Sequence, residues 1–154
     1  FQSHGELGLD DGRSFLLVDD YAHHPSEIEA TLRAVRDNWP GRRLLAVFQP
    51  HRFTRTRDLL DDFAAVLSGV DALLVTEVFA AGERPIAGAA SRDLCRAIRN
   101  RGQVEPVFVP ELEELDSILD NVVEDGDVVI TLGAGSIGGR AARLAEELGR
   151  SVDD

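Results

Sequence analysis

The stretch Asp127-Val128-Val129-Ile130-Thr131-Leu132-Gly133-Ala134-Gly135-Ser136-Ile137-Gly138 decides the fold. Its first half is an almost unbroken apolar run rich in β-branched residues, which suits a strand buried on both faces. Glycines then break the run, and from Ile137 the apolar positions recur at helical spacing. Working outward, the same unit repeats. Arg43 to Phe48, Ala72 to Thr76 and Glu105 to Val109 are further short apolar runs. Ser26 to Asn38, Thr54 to Leu67, Ser91 to Asn100, Leu112 to Val122 and Ile137 to Leu148 are amphipathic, as Ile28, Leu32 and Val35 illustrate. At the start, Phe1 to Leu7 and Ser14 to Asp19 flank Asp11-Gly12, a hairpin signal. Strands alternating with helices predict an α/β domain with a doubly wound, mostly parallel sheet and an antiparallel N-terminal edge strand.

The 154 residues suit one domain, 1–154. The net charge of −12 opposes binding to nucleic acid or to an anionic membrane surface. All 16 basic residues are arginine. Without lysine there is no P-loop lysine, so a self-sufficient P-loop ATPase is excluded. A lone cysteine, Cys95, allows no internal disulfide, and no apolar run reaches the roughly 20 residues of a membrane span. A soluble domain of a reducing compartment is expected. The chain opens on Phe1 with neither methionine nor leader, as a piece excised from a longer protein would.

In such sheets ligands gather beyond the carboxyl ends of the strands. There the sequence places Asp19-Asp20-Tyr21-Ala22-His23-His24-Pro25-Ser26-Glu27, its densest run of ionisable groups. Ser26 has the composition of an N-cap, with Glu29 as its capping-box partner. Capping does not explain paired aspartates and paired histidines, which favour a functional site. Asp19, Asp20, His23, His24 and His51 are also of metal-ligand type, but adjacent histidines are expected to diverge, so no metal is expected.

The next strand end carries Gln49-Pro50-His51-Arg52-Phe53-Thr54-Arg55-Thr56-Arg57-Asp58. Arg55 with Asp58 and Arg57 with Asp61 have helix-pair spacing. Arg57 is assigned to such a surface pair. Arg52 and Arg55 share a face and, with the helix N-terminus, are expected to hold a carboxylate or phosphate. The loop Thr76 to Ile86 fits either a functional segment or a solvated connection. Gly133-Ala134-Gly135-Ser136-Ile137-Gly138 matches G-x-G-x-x-G. Only one helix follows, and Asp153 and Asp154 have no strand before them, so a complete dinucleotide fold is not expected. An anion or nucleotide cradle is.

These three runs together resemble the Mur ligase family. The D-Y-A-H-x-P type loop is shared with the wider folylpolyglutamate synthetase superfamily, while H-R-F-T-R-T-R resembles the alanine-adding branch. The resemblance covers essentially the whole chain and implies the C-terminal, Rossmann-like domain of a three-domain, cytoplasmic, ATP-dependent ligase of peptidoglycan precursor synthesis. The substrates implied are UDP-N-acetylmuramate, L-alanine and ATP, with Mg held mainly by a central domain that also carries the phosphate-binding lysine. It further implies that Asp20 holds the ATP ribose and that Tyr21, His23, Arg52 and Arg55 surround the incoming L-alanine. His24, His51, Gly133, Gly135 and Ser136 are implied cleft contacts, and contacts with the N-terminal and central domains follow. No residue of this domain is expected to be catalytic, and the domain alone is expected to be inactive. The alternatives are a non-catalytic nucleotide-binding module on the same fold, or a sibling ligase adding another amino acid or a peptide.

Overall fold

The computed structural model describes residues 1–149 with their side chains and the backbone of the last helix as far as Asp153; Asp154 lies outside the described residues. Strands β1 (Gln2–Gly8) and β2 (Ser14–Asp20) form the antiparallel hairpin, and β3 (Leu44–Phe48), β4 (Ala72–Thr76), β5 (Pro106–Val109) and β6 (Val128–Leu132) complete one sheet. Its order is β1-β2-β6-β3-β4-β5, and every pairing except β1 with β2 is parallel. The expected architecture is therefore present.

Among the described residues six α-helices surround the sheet: α1 (Pro25–Asn38), α2 (Phe53–Asp58), α3 (Leu60–Leu67), α4 (Ser91–Arg101), α5 (Leu115–Val122) and α6 (Ile137–Asp153). Alternation along the strands sorts their apolar residues between two cores. Leu16, Val18, Ala46, Val128 and Ile130 join Ile28 of α1, Phe63 of α3 and Leu94 of α4 on one face. Leu17, Leu45, Val47 and Val129 join Leu115 and Leu119 of α5 and Ile137 and Ala141 of α6 on the other. The chain moves outward from β3 to β5 with helices on the first face, then returns to β6 with helices on the second, as a constant crossover hand requires.

Several expected boundaries shift: β3 and β5 begin one residue later than expected, and Leu112–Glu114 form a 3-10 turn ahead of α5. Two further changes have a clear cause. The single helix Thr54 to Leu67 is broken at Leu59, whose ψ of 22° interrupts the helical path. At the break Phe53 packs with Val78 and Ala89 while Phe63 enters the main core. The strand expected from Asp127 begins at Val128 because the Asp127 carboxylate turns inward, accepting from Glu124 N–H at 2.8 Å and Arg43 at 2.7 Å. At the outer edge, β1 carries a bulge between Ser3 and Gly5, where Gly5 supplies a φ of 79°.

Ile130 is fully buried in the central strand. Ile130→Ala is expected to destabilise the domain by about 2 to 5 kcal/mol, as truncation in a close-packed core does. Val107→Ala, on edge strand β5, should cost less than about 1 kcal/mol. Denaturant unfolding of both variants checks the contrast, and equal costs would contradict this description of the core.

Candidate functional site

The register of β6 sets Leu132 beside Asp20 of β2 and beside Phe48 of β3, so three strands end at one level. The chain leaves β2 and β3 toward one face and β6 toward the other. A crevice must open where those connections part, and it is walled by residues 21–24, 49–52 and 133–136.

The two aspartates at the end of β2 do not converge, because strand alternation sends them to opposite faces. Asp19 accepts from Thr131 Oγ1 at 2.6 Å and lies against Gly138 of α6. Asp20 accepts from Ala22 N–H and from Thr31 Oγ1 of α1, both at 2.9 Å, and its side chain remains 16% exposed. Tyr21 projects into solvent, 68% exposed. His23 Nδ1 lies 3.0 Å from Tyr21 carbonyl oxygen. A carbonyl only accepts, so this bond puts the proton on Nδ1 and leaves the Nε2 lone pair unused in the neutral ring.

Helix α1 starts earlier than Ser26. His24 is the N-cap, Pro25 occupies the first turn and Glu27, not Glu29, reaches back to accept from His24 N–H at 3.0 Å. Proline fits there because its fixed φ is helical and its missing N–H would have had no partner. Partial burial pushes the Glu27 carboxyl up, but the amides of His24 and His23 outweigh it and the net shift is downward. The adjacent histidines do not diverge as expected: their ring centroids are 4.9 Å apart. With Glu27 they form a group whose potential ligand atoms lie within 4.8 Å of one another, and neither aspartate belongs to it. Glu27 escaped the sequence reading because the helix start was placed two residues late.

Beyond β3, the His51 ring lies 5.7 Å from that of His23 and stacks on Phe79. Arg55 does not pair with Asp58; its Nη1 donates to His51 Nδ1 at 2.9 Å. A guanidinium cannot accept, so His51 Nδ1 must, which leaves the neutral ring with its proton on Nε2, the opposite tautomer to His23. Burial, then the charge of Arg55, that of His23 when its ring is protonated, and that of Arg52 hold the His51 pKa below its ordinary value. Arg57 makes a surface pair as expected, but with Asp58, at 2.9 Å, rather than Asp61. Arg52 is exposed, and among the described residues no carboxylate pairs with its guanidinium. Its backbone has φ 73° and ψ 140°, a conformation that costs on the order of 1 to 3 kcal/mol outside glycine.

The N-terminus of α2 is not an open anion site. Glu83, from the loop after β4, accepts from Phe53 N–H at 2.6 Å, Thr54 N–H at 3.1 Å and Thr54 Oγ1 at 2.6 Å. The glycine loop is filled internally too. Gln49 Oε1 accepts from Ile137 N–H at 3.1 Å, while Gln49 Nε2 donates to Ser136 Oγ at 3.0 Å. A Cβ on Gly135 would come within 2.5 Å of Phe79 and 2.7 Å of Gln49, and one on Gly133 within 2.9 Å of the Gln49 carbonyl. These glycines admit the protein's own neighbours, so the G-x-G-x-x-G match does not make the anion cradle expected of it. Gln49, Phe79 and Glu83 lie in the quoted strand-end runs, but their contacts are too distant in sequence for spacing rules to register.

A surface hollow of about 580 Å³ lies instead between α1 and α3, lined in part by Leu32, Arg33 and Val66. Arg33 and Arg36 there pair with Glu29 and Asp71. It lacks the histidines and strained backbone of the strand-end crevice, which is the better candidate. Among the described residues, no helix is long and apolar enough to cross a membrane.

On ¹⁵N NMR of the chain, His51 is expected to keep the Nε2–H form at pH 7 and to titrate below the ordinary histidine value of about 6.5. Because the folded state resists the proton, stability tied to His51 is complete above the unfolded pKa and falls as pH drops through it. Arg55→Gln should raise the His51 pKa without restoring it fully, since burial is the larger cause. A pKa at or above the ordinary value in the unsubstituted chain would contradict this geometry.

Comparison with known proteins shows the family. The family model described as Mur ligase, glutamate ligase domain, matches residues 8–135. The chain is 57% identical over 146 residues to UDP-N-acetylmuramate–L-alanine ligase of Nitrosomonas eutropha, covering 95% of this chain and 31% of that protein. It is 58% identical over 149 residues to the protein of the same name from Methylococcus capsulatus, covering 97% and 31%. The crystal structure of UDP-N-acetylmuramate-alanine ligase from Thermotoga maritima superposes with a TM-score of 0.70 at 26% identity, covering 94% of this chain and 29% of that one. A murein peptide ligase from Psychrobacter arcticus shares the fold, with a TM-score of 0.68 at 24% identity, covering 95% and 30%. The chain thus spans about a third of the length of these relatives, and by the extent of its match it belongs to the Mur ligase family, as that family's glutamate ligase domain.

Proposed function

We propose that this chain is the C-terminal domain, 1–154, of a three-domain cytoplasmic ligase that uses ATP to join L-alanine to UDP-N-acetylmuramate in peptidoglycan precursor synthesis. The observation that carries the reading is the gathering of His23, His51 and Arg55, with Arg52 adjacent, at the ends of neighbouring strands. Relatives bearing that enzyme's name match nearly the full chain, which favours this reading over a sibling ligase or a bare nucleotide module.

The domain suits an amino acid better than a triphosphate. The helix ends at the crevice are each met by a side chain of the protein, and there is no lysine, so the phosphates of ATP and its Mg would fall to a central domain. Asp20 still fits a ribose. Each of its oxygens carries one internal hydrogen bond, a carboxylate offers about four acceptor positions, and the side chain is partly open to solvent. Arg52 and Arg55 would hold the alanine carboxylate, with Arg55 steadied by His51. Tyr21 and His23 would line the other side of the amino acid, the unprotonated Nε2 of His23 facing its ammonium group. In the whole enzyme the γ-phosphoryl group of ATP would pass to the muramyl carboxylate with release of ADP, and the alanine amino group, having lost a proton, would attack the acyl carbon and expel inorganic phosphate.

Steady-state kinetics of the intact ligase test these roles. Asp20→Asn should raise KM for ATP by the equivalent of about 1.5 to 3 kcal/mol and leave alanine use nearly unchanged. Arg52→Ala and Arg55→Ala should each cost about 2 to 4 kcal/mol in kcat/KM for alanine, with ATP affinity little altered. Arg52→Lys should stay clearly impaired if the contact is bidentate. Arg57→Ala should fall within about threefold of wild type, as loss of an exposed pair does. Equal effects at all three arginines would refute the division of roles.

A further inference from the structure

We infer that Glu83, through its carboxylate bonds to Phe53 N–H, Thr54 N–H and Thr54 Oγ1, is the positioning residue that sets Arg52 and Arg55 for the amino-acid carboxylate; this rests on the reading of those arginines proposed above. The need for such a residue follows from the local backbone. Helix α2 is only six residues long and opens on Arg52, whose side chain makes no cap hydrogen bond. Its leading amides would otherwise have no partner, and so short a helix has little cooperativity of its own. Glu83 supplies the missing acceptor from a residue about thirty positions away in the chain. Hydrogen bonding by the Thr54 hydroxyl, then by the Thr54 and Phe53 amides, outweighs partial burial and holds the Glu83 carboxyl below its usual range, so it stays ionised at neutral pH.

The same loop braces the other side of Arg52. Arg52 N–H donates to Phe79 carbonyl oxygen and Phe79 N–H to Pro50 carbonyl oxygen, each at 2.8 Å. Phe79 in turn lies against His51 and in the space left by Gly135. A left-handed arginine persists only where the surroundings hold it on several sides, and here one loop does so from both ends. Arg55 is one turn further along α2, so its bond to His51 depends on the same first turn. Glu83 commits its oxygens to amides and a hydroxyl and forms no direct ion pair with Arg52, so its charge attracts the guanidinium only at longer range and leaves the donors of Arg52 open. The loop after β4 is thus a clamp on the arginines, and its carboxylate acts through them without meeting the substrate.

The test is alanine kinetics in the intact ligase, with thermal melting of each variant as a control for folding. Glu83→Ala should raise KM for alanine by about tenfold or more, with KM for ATP and UDP-N-acetylmuramate within about twofold of wild type. Glu83→Gln, which keeps the shape and one acceptor oxygen, should recover to within about threefold. Thr54→Val, which removes only the hydroxyl bond, should raise alanine KM about threefold and serves if Glu83→Ala does not fold. An unchanged alanine KM in Glu83→Ala or in Thr54→Val overturns the inference, as does a parallel rise in all three KM values. If the wild-type ligase shows no saturable dependence on alanine, it is the functional reading that fails.

Discussion

Strand β6 comes last in the sheet's chain order yet lies between β2 and β3, hydrogen-bonded in parallel to both. That insertion fixes the level at which three strands end, and it forces their outgoing connections to part toward opposite faces. Remove the double pairing and residues 21–24, 49–52 and 133–136 have no common origin. The fully buried apolar residues of β6 supply the energy that keeps it there, since each contributes to one of the two cores. The crevice is therefore a by-product of packing, and its chemistry is added by the loops.

Those loops solve a shared electrostatic problem in the same way. Helices α1, α2 and α6 all begin at the crevice, and each presents amides that need acceptors. Glu27 serves α1, Glu83 serves α2 and Gln49 serves α6. Two of the three come from elsewhere in the chain, which ties the loops to one another as well as to their helices. With helix ends occupied, recognition of an anion passes to guanidinium and imidazole groups. These have directional donors, and for His23 and His51 the tautomer is fixed by a single neighbour.

The doubly wound sheet was legible because buried parallel strands and amphipathic helices leave different periodicities, and the runs at Val128 and Ile28 show each plainly. The strand-end rule then located the loops containing His23, His51 and Arg55. It could not say which charges within a loop would meet. Asp19 and Asp20 are adjacent in sequence but separated by the sheet, while His23 and His24 come together because a helix starts between them and Glu27. Arg55 has an aspartate three residues on, yet bonds to a histidine four residues back. Spacing rules describe contacts along one helix, and Glu83 and Gln49 act across the fold, so composition gave no hint of their partners. The glycines at 133 and 135 illustrate the same limit: the pattern signals close approach, and only the structure tells that the approaching groups are Gln49 and Phe79.

The bulge in β1 has a bearing on how the domain behaves in a crowded solution. An open sheet ends in two rows of unsatisfied backbone groups, and a long flat edge invites strand addition from another molecule. At one margin the bulge at Ser3 and Gly5 breaks the hydrogen-bonding rhythm of β1 and increases its twist. At the other, β5 is short, opens on Pro106, and has the Arg92 guanidinium over Phe108, 5.0 Å from the ring centre. Both margins thus carry features that oppose strand addition, which lets an open sheet present its edges without a long flat ladder.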